Sequence, residues 1–252
     1  AIAKGIGMVH QHFSLVPSMT VAENVVIGKP PYKKGLIDLA RSQEIVQELS
    51  ETYGLKINPR ARVSDLTVGL QQRVEILKAL YLGAEILIMD EPTAVLTPQE
   101  ILQLMDTLMN LKKKGKCIIL ITHNLGCASS ICDKIIVMYG GKVMEEGTTE
   151  EIFYEPRHPY TMGLLNSIPK VTGEESKQRL IPILGTPPDM LNPPTGCPFY
   201  PRCQFAMKAC ASMQVPEQYL SETHRVSCFM CHPQAPSNPM YEAQKGGIRR
   251  DQ

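Results

Sequence analysis

Ile86-Leu87-Ile88-Met89-Asp90-Glu91 is an apolar run closed by two acids. Four aliphatic residues without polar alternation read as a strand buried on both faces of a parallel sheet. The acids then fall at the carboxyl edge of that sheet, where open α/β sheets bind ligands. Carboxylates there suit a nucleotide: the first can hold Mg²⁺ directly or through water, and the second can polarise a water beside a terminal phosphate. Taken alone, the run equally describes two solvated acids at a strand end.

The neighbouring sequence narrows that choice. Upstream, Leu66-Thr67-Val68-Gly69-Leu70-Gln71-Gln72-Arg73 is a short polar turn entering a long helix. The free N–H groups and dipole of such a helix favour a phosphate, although an ordinary helix cap at Thr67 fits the same residues. Further short apolar runs at residues 7–9, 118–121 and 135–138 read as more parallel strands, with helical patterns at 39–53, 71–81 and 99–114 between them. The last pattern places Ile101, Leu102, Met105, Leu108, Met109 and Leu111 on one face and stops at Gly115. Such alternation predicts an α/β domain with a mostly parallel sheet.

The chain has 252 residues, 43% of them hydrophobic, enough for one large domain or two modest ones. Residues 169–252 hold twelve of the twenty prolines and five of the eight cysteines, so a domain boundary is expected near Pro169. With 26 Lys and Arg against 25 Asp and Glu, the net charge of +1 gives no bulk attraction to nucleic acid, and no nucleic-acid partner is expected. No signal peptide or run of about 18 apolar residues occurs, which points to the cytoplasm.

Taken in order, the motifs resemble those of ABC transporter ATPases. Residues 66–80 resemble the signature motif and residues 86–91 Walker B, with Gln11 in the Gln-loop position, Pro92-Thr93-Ala94-Val95-Leu96-Thr97 in the D-loop position, and His123 following the strand at 118–121. The resemblance implies a P-loop NTPase-like nucleotide-binding domain over residues 1–168, with a helical subdomain at about 20–83 starting at Thr20-Val21-Ala22-Glu23-Asn24. It implies Asp90 for Mg²⁺, Glu91 as general base, His123 as γ-phosphate sensor and Gln11 as a Mg²⁺ contact. Thr67, Val68, Gly69 and Gln71 would face ATP held mainly by a second ATPase subunit, as a homo- or heterodimer. Transmembrane permease subunits are the other implied partners, with a substrate-binding protein reached indirectly, and the chain would lie peripherally on the inner face of the cell membrane. Two positions depart from the family pattern: Thr67 stands for the usual Ser, and Thr97-Pro98 ends the D-loop where Asp is common.

A phosphate-binding G-x-x-x-x-G-K-[ST] loop is missing from the sequence. Gly28-Lys29 precedes Pro30, Gly115-Lys116 precedes Cys117 and Gly141-Lys142 precedes Val143, none with the required upstream glycine. Only ten residues precede Gln11. The expectation is therefore an N-terminally truncated chain that folds marginally and, by itself, binds ATP poorly.

Glu155-Pro156-Arg157-His158-Pro159-Tyr160-Thr161, Gly185-Thr186-Pro187-Pro188-Asp189 and Gly196-Cys197-Pro198-Phe199 resemble the tail of oligopeptide and dipeptide importer ATPases, which implies peptide uptake. Cys197, Cys203, Cys210 and Cys228 follow a C-x5-C-x6-C-x17-C spacing, unlike the tight pairs of structural zinc sites. Four thiolates can hold a [4Fe-4S] cluster, and the resemblance favours one. Zinc is the alternative, with Cys231, His224 and His232 as competing ligands, while Cys117, Cys127 and Cys132 read as small buried hydrophobes. Residues 8–13 and 66–80 look closer to sugar or nucleoside importer ATPases, so a mosaic with its seam at about 99–120 is a further expectation. The competing functions are a catalytically silent binding or regulatory module with a metal-bound tail, and a sugar or nucleoside importer ATPase.

Overall fold

The computed structural model describes residues 1–167 and 182–244. They form two compact units that divide between Cys127 and Ala128.

The first unit is built on a parallel sheet of three strands in the order β1 (Ile6–Val9), β4 (Ile86–Asp90), β5 (Cys117–Ile121). Val9 lies opposite Met89, and Asp90 opposite Ile121, so all three carboxyl ends share one edge. Between β1 and β4 run α1 (Val21–Val26), the short hairpin β2 (Tyr32–Lys33) and β3 (Leu36–Ile37), α2 (Leu39–Tyr53) and α3 (Val68–Tyr81). These elements occupy the span where the sequence predicts a helical subdomain. After β4 comes α4 (Pro98–Lys113), and α5 (Leu125–Ile131) crosses the division between the units.

Each helix start is set by a side chain that accepts one of the free N–H groups of the first turn. Thr20 and Thr97 form reciprocal capping boxes with Glu23 and Glu100, and Asp38 and Thr67 cap α2 and α3 singly. The core between helices and sheet is aliphatic: Val21, Val25, Val46, Leu55, Val74, Leu77, Leu87, Met89, Leu108 and Leu111 are buried. β1 lies so close to its neighbours that a Cβ on Gly7 would stand 2.9 Å from that of Ala84 and 3.0 Å from that of Ala79.

The second unit departs from the parallel expectation. β6 (Lys134–Tyr139) pairs antiparallel with β7 (Lys142–Thr148), which pairs with β9 (Arg225–Ser227), itself bonded to β8 (Glu217–Tyr219). The apolar run at 135–138 is thus not a buried parallel strand: Ile135 and Val137 are buried while Ile136 and Met138 are about half exposed. Gly140 and Gly141, both at positive φ, supply the two-residue turn that folds β6 directly back on β7. The expected boundary at Pro169 lies outside the described residues. Pairing of β7 with β9 nevertheless makes residues on both sides of 169 parts of one sheet.

Four further helices decorate this sheet: α6 (Thr149–Tyr154), α7 (Pro159–Asn166), α8 (Lys208–Ser212) and α9 (Pro239–Gln244). Its centre is polar. Glu145, fully buried, accepts hydrogen bonds from the N–H groups of Arg157 (2.6 Å) and His158 (3.0 Å) and pairs with His224 Nε2 at 2.8 Å. Burial holds the His158 imidazole down at about 4, against the opposing pull of Glu145, so it stays neutral. Beside it, Tyr139, Tyr160 and Phe199 form an aromatic cluster with ring centroids 4.6 to 5.4 Å apart. Among the described residues, no helix is long and apolar enough to cross a membrane.

Candidate functional site

The acids at the end of β4 are shaped by an unusual backbone. Glu91 adopts φ +44°, a left-handed conformation that costs a residue with a Cβ roughly 1 kcal/mol or more. The bend lets the Glu91 N–H donate to the Ile121 carbonyl (2.9 Å), tying the ends of β4 and β5 together. It also turns the Glu91 carboxylate toward the segment after β5, where His123 Nδ1 lies 2.9 Å from Glu91 Oε1.

The other carboxylate oxygen, Oε2, is buried and has no hydrogen-bond partner. A buried acceptor left unpaired costs about 1–3 kcal/mol, so this atom is poised for a donor such as a water. Glu91 is 22% exposed and His123 81%, so the pair opens outward. Asp90 ends β4 half-buried beside it, and Gln11 lies exposed two residues beyond the end of β1. Asp90, Glu91, His123 and Gln11 therefore share the carboxyl edge of one sheet.

Thr67, Val68, Gly69 and Gln71 form the start of α3. Thr67 Oγ1 accepts the Leu70 N–H at 3.4 Å, while the Gln71 side chain donates back to the Leu66 (3.1 Å) and Val63 (3.4 Å) carbonyls, bracing the turn. The start of this fourteen-residue helix lines a groove together with residues of α4, including Glu100.

Contacts not anticipated from the sequence connect these parts. Gln72, buried in α3, donates from Nε2 to the Pro92 carbonyl at 2.9 Å, linking the signature-like helix to the turn after Glu91. Glu75 and Lys78 clamp the segment after Gln11: Glu75 accepts the Ser14 N–H (2.7 Å) and Lys78 donates to the Ser14 carbonyl (2.9 Å). The available signal was a charged residue, Glu75, set among the apolar positions of a helix; buried acids are paired.

In the second unit Cys197, Cys203, Cys210 and Cys228 line one cavity, with His158, Phe205 and Met230. The Cys197 N–H donates to the Cys210 carbonyl at 2.8 Å, drawing two of the four segments together. Burial foremost, and then the neighbouring Cys197 and Cys210, push the Cys203 thiol up to about 12. Cys231 sits against the Tyr241 hydroxyl at 3.0 Å. His224, expected as a competing metal ligand, has its Nε2 engaged by Glu145. Cys117 is exposed on the edge strand β5, not buried, whereas Cys127 is buried. Among the described residues, no three His, Cys, Asp or Glu side chains are placed to hold a single metal ion.

Comparison with known proteins gives two family matches: ABC transporter over residues 1–94, and oligopeptide/dipeptide transporter, C-terminal region, over residues 144–210. The oligopeptide transport ATP-binding protein OppD of Bacillus subtilis is 39% identical over 256 residues, spanning 98% of this chain and 70% of that one. OppD of Salmonella typhimurium is 37% identical, over 90% of this chain and 68% of that one. The guanosine import ATP-binding protein NupO of Bacillus subtilis is 59% identical over 138 residues, 55% of this chain and only 27% of that protein. Among solved structures, the ADP conformation of MJ1267, an ATP-binding cassette of an ABC transporter, superposes with a TM-score of 0.54 at 25% identity, covering 65% of this chain and 68% of that one.

Proposed function

We propose, for a chain that belongs to the ABC transporter family of ATP-binding proteins, that it hydrolyses ATP to drive an importer, and that the cargo is an oligopeptide or dipeptide. The observation that carries the catalytic part is the Glu91 carboxylate: one oxygen is fixed by His123, the other is buried and unpaired, and the backbone bend that aims it is locked to β5.

In this reading Glu91 accepts the proton of the attacking water through Oε2, while His123 orients Oε1 and meets the terminal phosphate. Asp90 and Gln11, at the same sheet edge, would hold Mg²⁺, which would neutralise charge on the phosphates. The fit is partial. The metal and water end has its donors, but the 252 residues contain no lysine-bearing phosphate loop, so this stretch alone is expected to bind ATP weakly and turn it over slowly.

The start of α3 serves the partner. Thr67, Val68, Gly69 and Gln71 offer N–H groups and a hydroxyl to the phosphate of ATP held by a second ATP-binding subunit, so the working state is a dimer seated on permease subunits at the inner face of the membrane. The B. subtilis relative named for oligopeptide transport spans nearly the whole chain, which supports the peptide cargo.

The four cysteines of the tail are proposed to hold a [4Fe-4S] cluster. A single zinc ion needs four donors around one point about 2.3 Å away. A cubane takes one thiolate at each separate iron, which suits four thiols spread around a cavity wall. Iron bound at Cys203 would take the place of the proton that burial now keeps on its thiol, releasing that proton to solvent.

A second cargo, a nucleoside, is favoured by one observation, the 59% identity of the front half to the guanosine importer protein. Uptake of labelled dipeptide and labelled guanosine in cells with and without the subunit distinguishes the two. Dipeptide uptake that disappears with the subunit and with Glu91→Gln supports the proposal; loss of guanosine uptake alone would overturn the peptide assignment.

A further inference from the structure

Glu100 has two occupations at once. It is the third residue of α4, and its Oε2 closes the capping box by accepting the Thr97 N–H (3.0 Å) and the Thr97 hydroxyl (2.9 Å). Its Oε1 reaches away from α4 toward the start of α3, to a point 2.8 Å from where a Cβ on residue 69 would stand. The absence of a side chain at Gly69 leaves the room it fills. Thr67, Gly69 and Glu100 line the same groove. The carboxyl is held below its ordinary range, chiefly by the hydrogen bonds from Thr97 and further by its nearness to the Gly69 N–H and the Thr67 hydroxyl, so it is ionised.

A carboxylate thus rests on the N-terminus of α3, where free N–H groups and the helix dipole favour an anion. Those groups are the ones the functional reading above assigns to the partner's nucleotide, and the inference rests on that reading. A carboxylate and a phosphate cannot share so small a site without strong like-charge repulsion. We infer that Glu100 is an internal occupant of the signature turn, a positioning residue that braces Thr67 and Gly69 when no nucleotide is present and must be displaced before the two subunits close on ATP. Displacement need not unravel α4, because the Oε2 contacts to Thr97 can remain while Oε1 rotates out.

The charge on Glu100 is then a brake on nucleotide-driven closure, separate from the chemistry at Glu91. Glu100→Gln tests it well, since glutamine at this position keeps the capping box and loses the charge. In the assembled transporter, the half-saturating ATP concentration for turnover should fall about three- to fivefold, the scale of one charge at a helix terminus. Maximal turnover should stay within about twofold of the parent. Glu44→Gln, which neutralises an exposed acid on α2, serves as the control and should leave both quantities unchanged.

A half-saturating concentration that is unchanged or raised in Glu100→Gln would overturn the inference, as would an equal fall in Glu44→Gln. A fall in maximal turnover alone would assign Glu100 a purely structural role and overturn it too. If the parent assembly shows no ATP turnover, the functional reading fails and this inference fails with it; turnover without a Glu100 effect leaves that reading intact.

Discussion

Glu91 and Gly196 each depend on a backbone feature that the sequence does not display. At Glu91 it is the left-handed turn, without which Oε1 would not meet His123. At Gly196 it is close packing: a Cβ there would stand 2.2 Å from the Cys210 carbonyl oxygen and 2.9 Å from the Ala211 carbonyl carbon. Backbone atoms cannot move aside as a flexible side chain can, so Gly196→Ala must push the Cys197 and Cys210 segments apart, at a cost of about 1–3 kcal/mol typical of overpacking. If the four cysteines hold a cluster, protein purified anaerobically should contain iron and visible colour, and Gly196→Ala should lose most of both. Iron-free, colourless parent protein would remove the cluster from the account. The four cysteines singled out by their spacing do line one cavity, but nothing in the sequence marked the close packing at Gly196 beside Cys197.

Among the elements, α2, α4 and the three parallel strands form where their apolar patterns place them, but the patterns overstate burial. Leu102, assigned to the apolar face of α4, is 60% exposed, α2 buries Ser42 and Ser50 beside Val46, and Ile119 and Ile121 of β5 are about half exposed. The expectation failed at β6, where Gly140-Gly141 outweighed the apolar run and turned it into half of a hairpin. β7 escaped notice since Glu145 and Glu146 break its apolar pattern; both are paired, Glu145 with His224 and Glu146 with Lys134 and Arg225. Polar pairing of this kind is long-range, so it leaves no local periodicity to read.

The loop between β8 and β9 depends on a further acid, at the start of α6. Burial raises the Glu151 pKa, but hydrogen bonds from the Thr148 N–H, Ser221, Thr223 and the Thr148 hydroxyl more than offset it and bring the carboxyl down to about 2. An unfolded glutamate titrates near ~4.3, so the charged form favours the folded state. Its contribution is complete above that value and is lost as pH falls toward about 2. Thermal melts across this range should show the parent losing more stability on acidification than Glu151→Gln; parallel curves would mean that Glu151 carries no such contribution.

At the scale of the whole chain, the order of motifs from Gln11 through residues 66–73 and Asp90-Glu91 to His123 was legible because each motif keeps a fixed relation to a strand or helix end. What stayed hidden was the set of contacts joining them: Gln72 to the Pro92 carbonyl, Glu75 and Lys78 to Ser14, and Glu100 to the start of α3. Each of these residues reads as an ordinary polar position on a helix until its partner is known. The front of the chain matches the ABC transporter family and the tail the oligopeptide/dipeptide transporter C-terminal region, while the relatives compared above are named for different cargoes, a nucleoside and an oligopeptide.

The account turns on Glu91 as the group that takes the proton from water. ATP turnover by the assembled transporter, measured for the parent and for Glu91→Gln alongside nucleotide retention, addresses that most directly. Loss of a general base predicts a fall of about 10²- to 10⁴-fold in turnover with ATP still bound. Turnover within a fewfold of the parent would contradict the role of Glu91 and the site built around it.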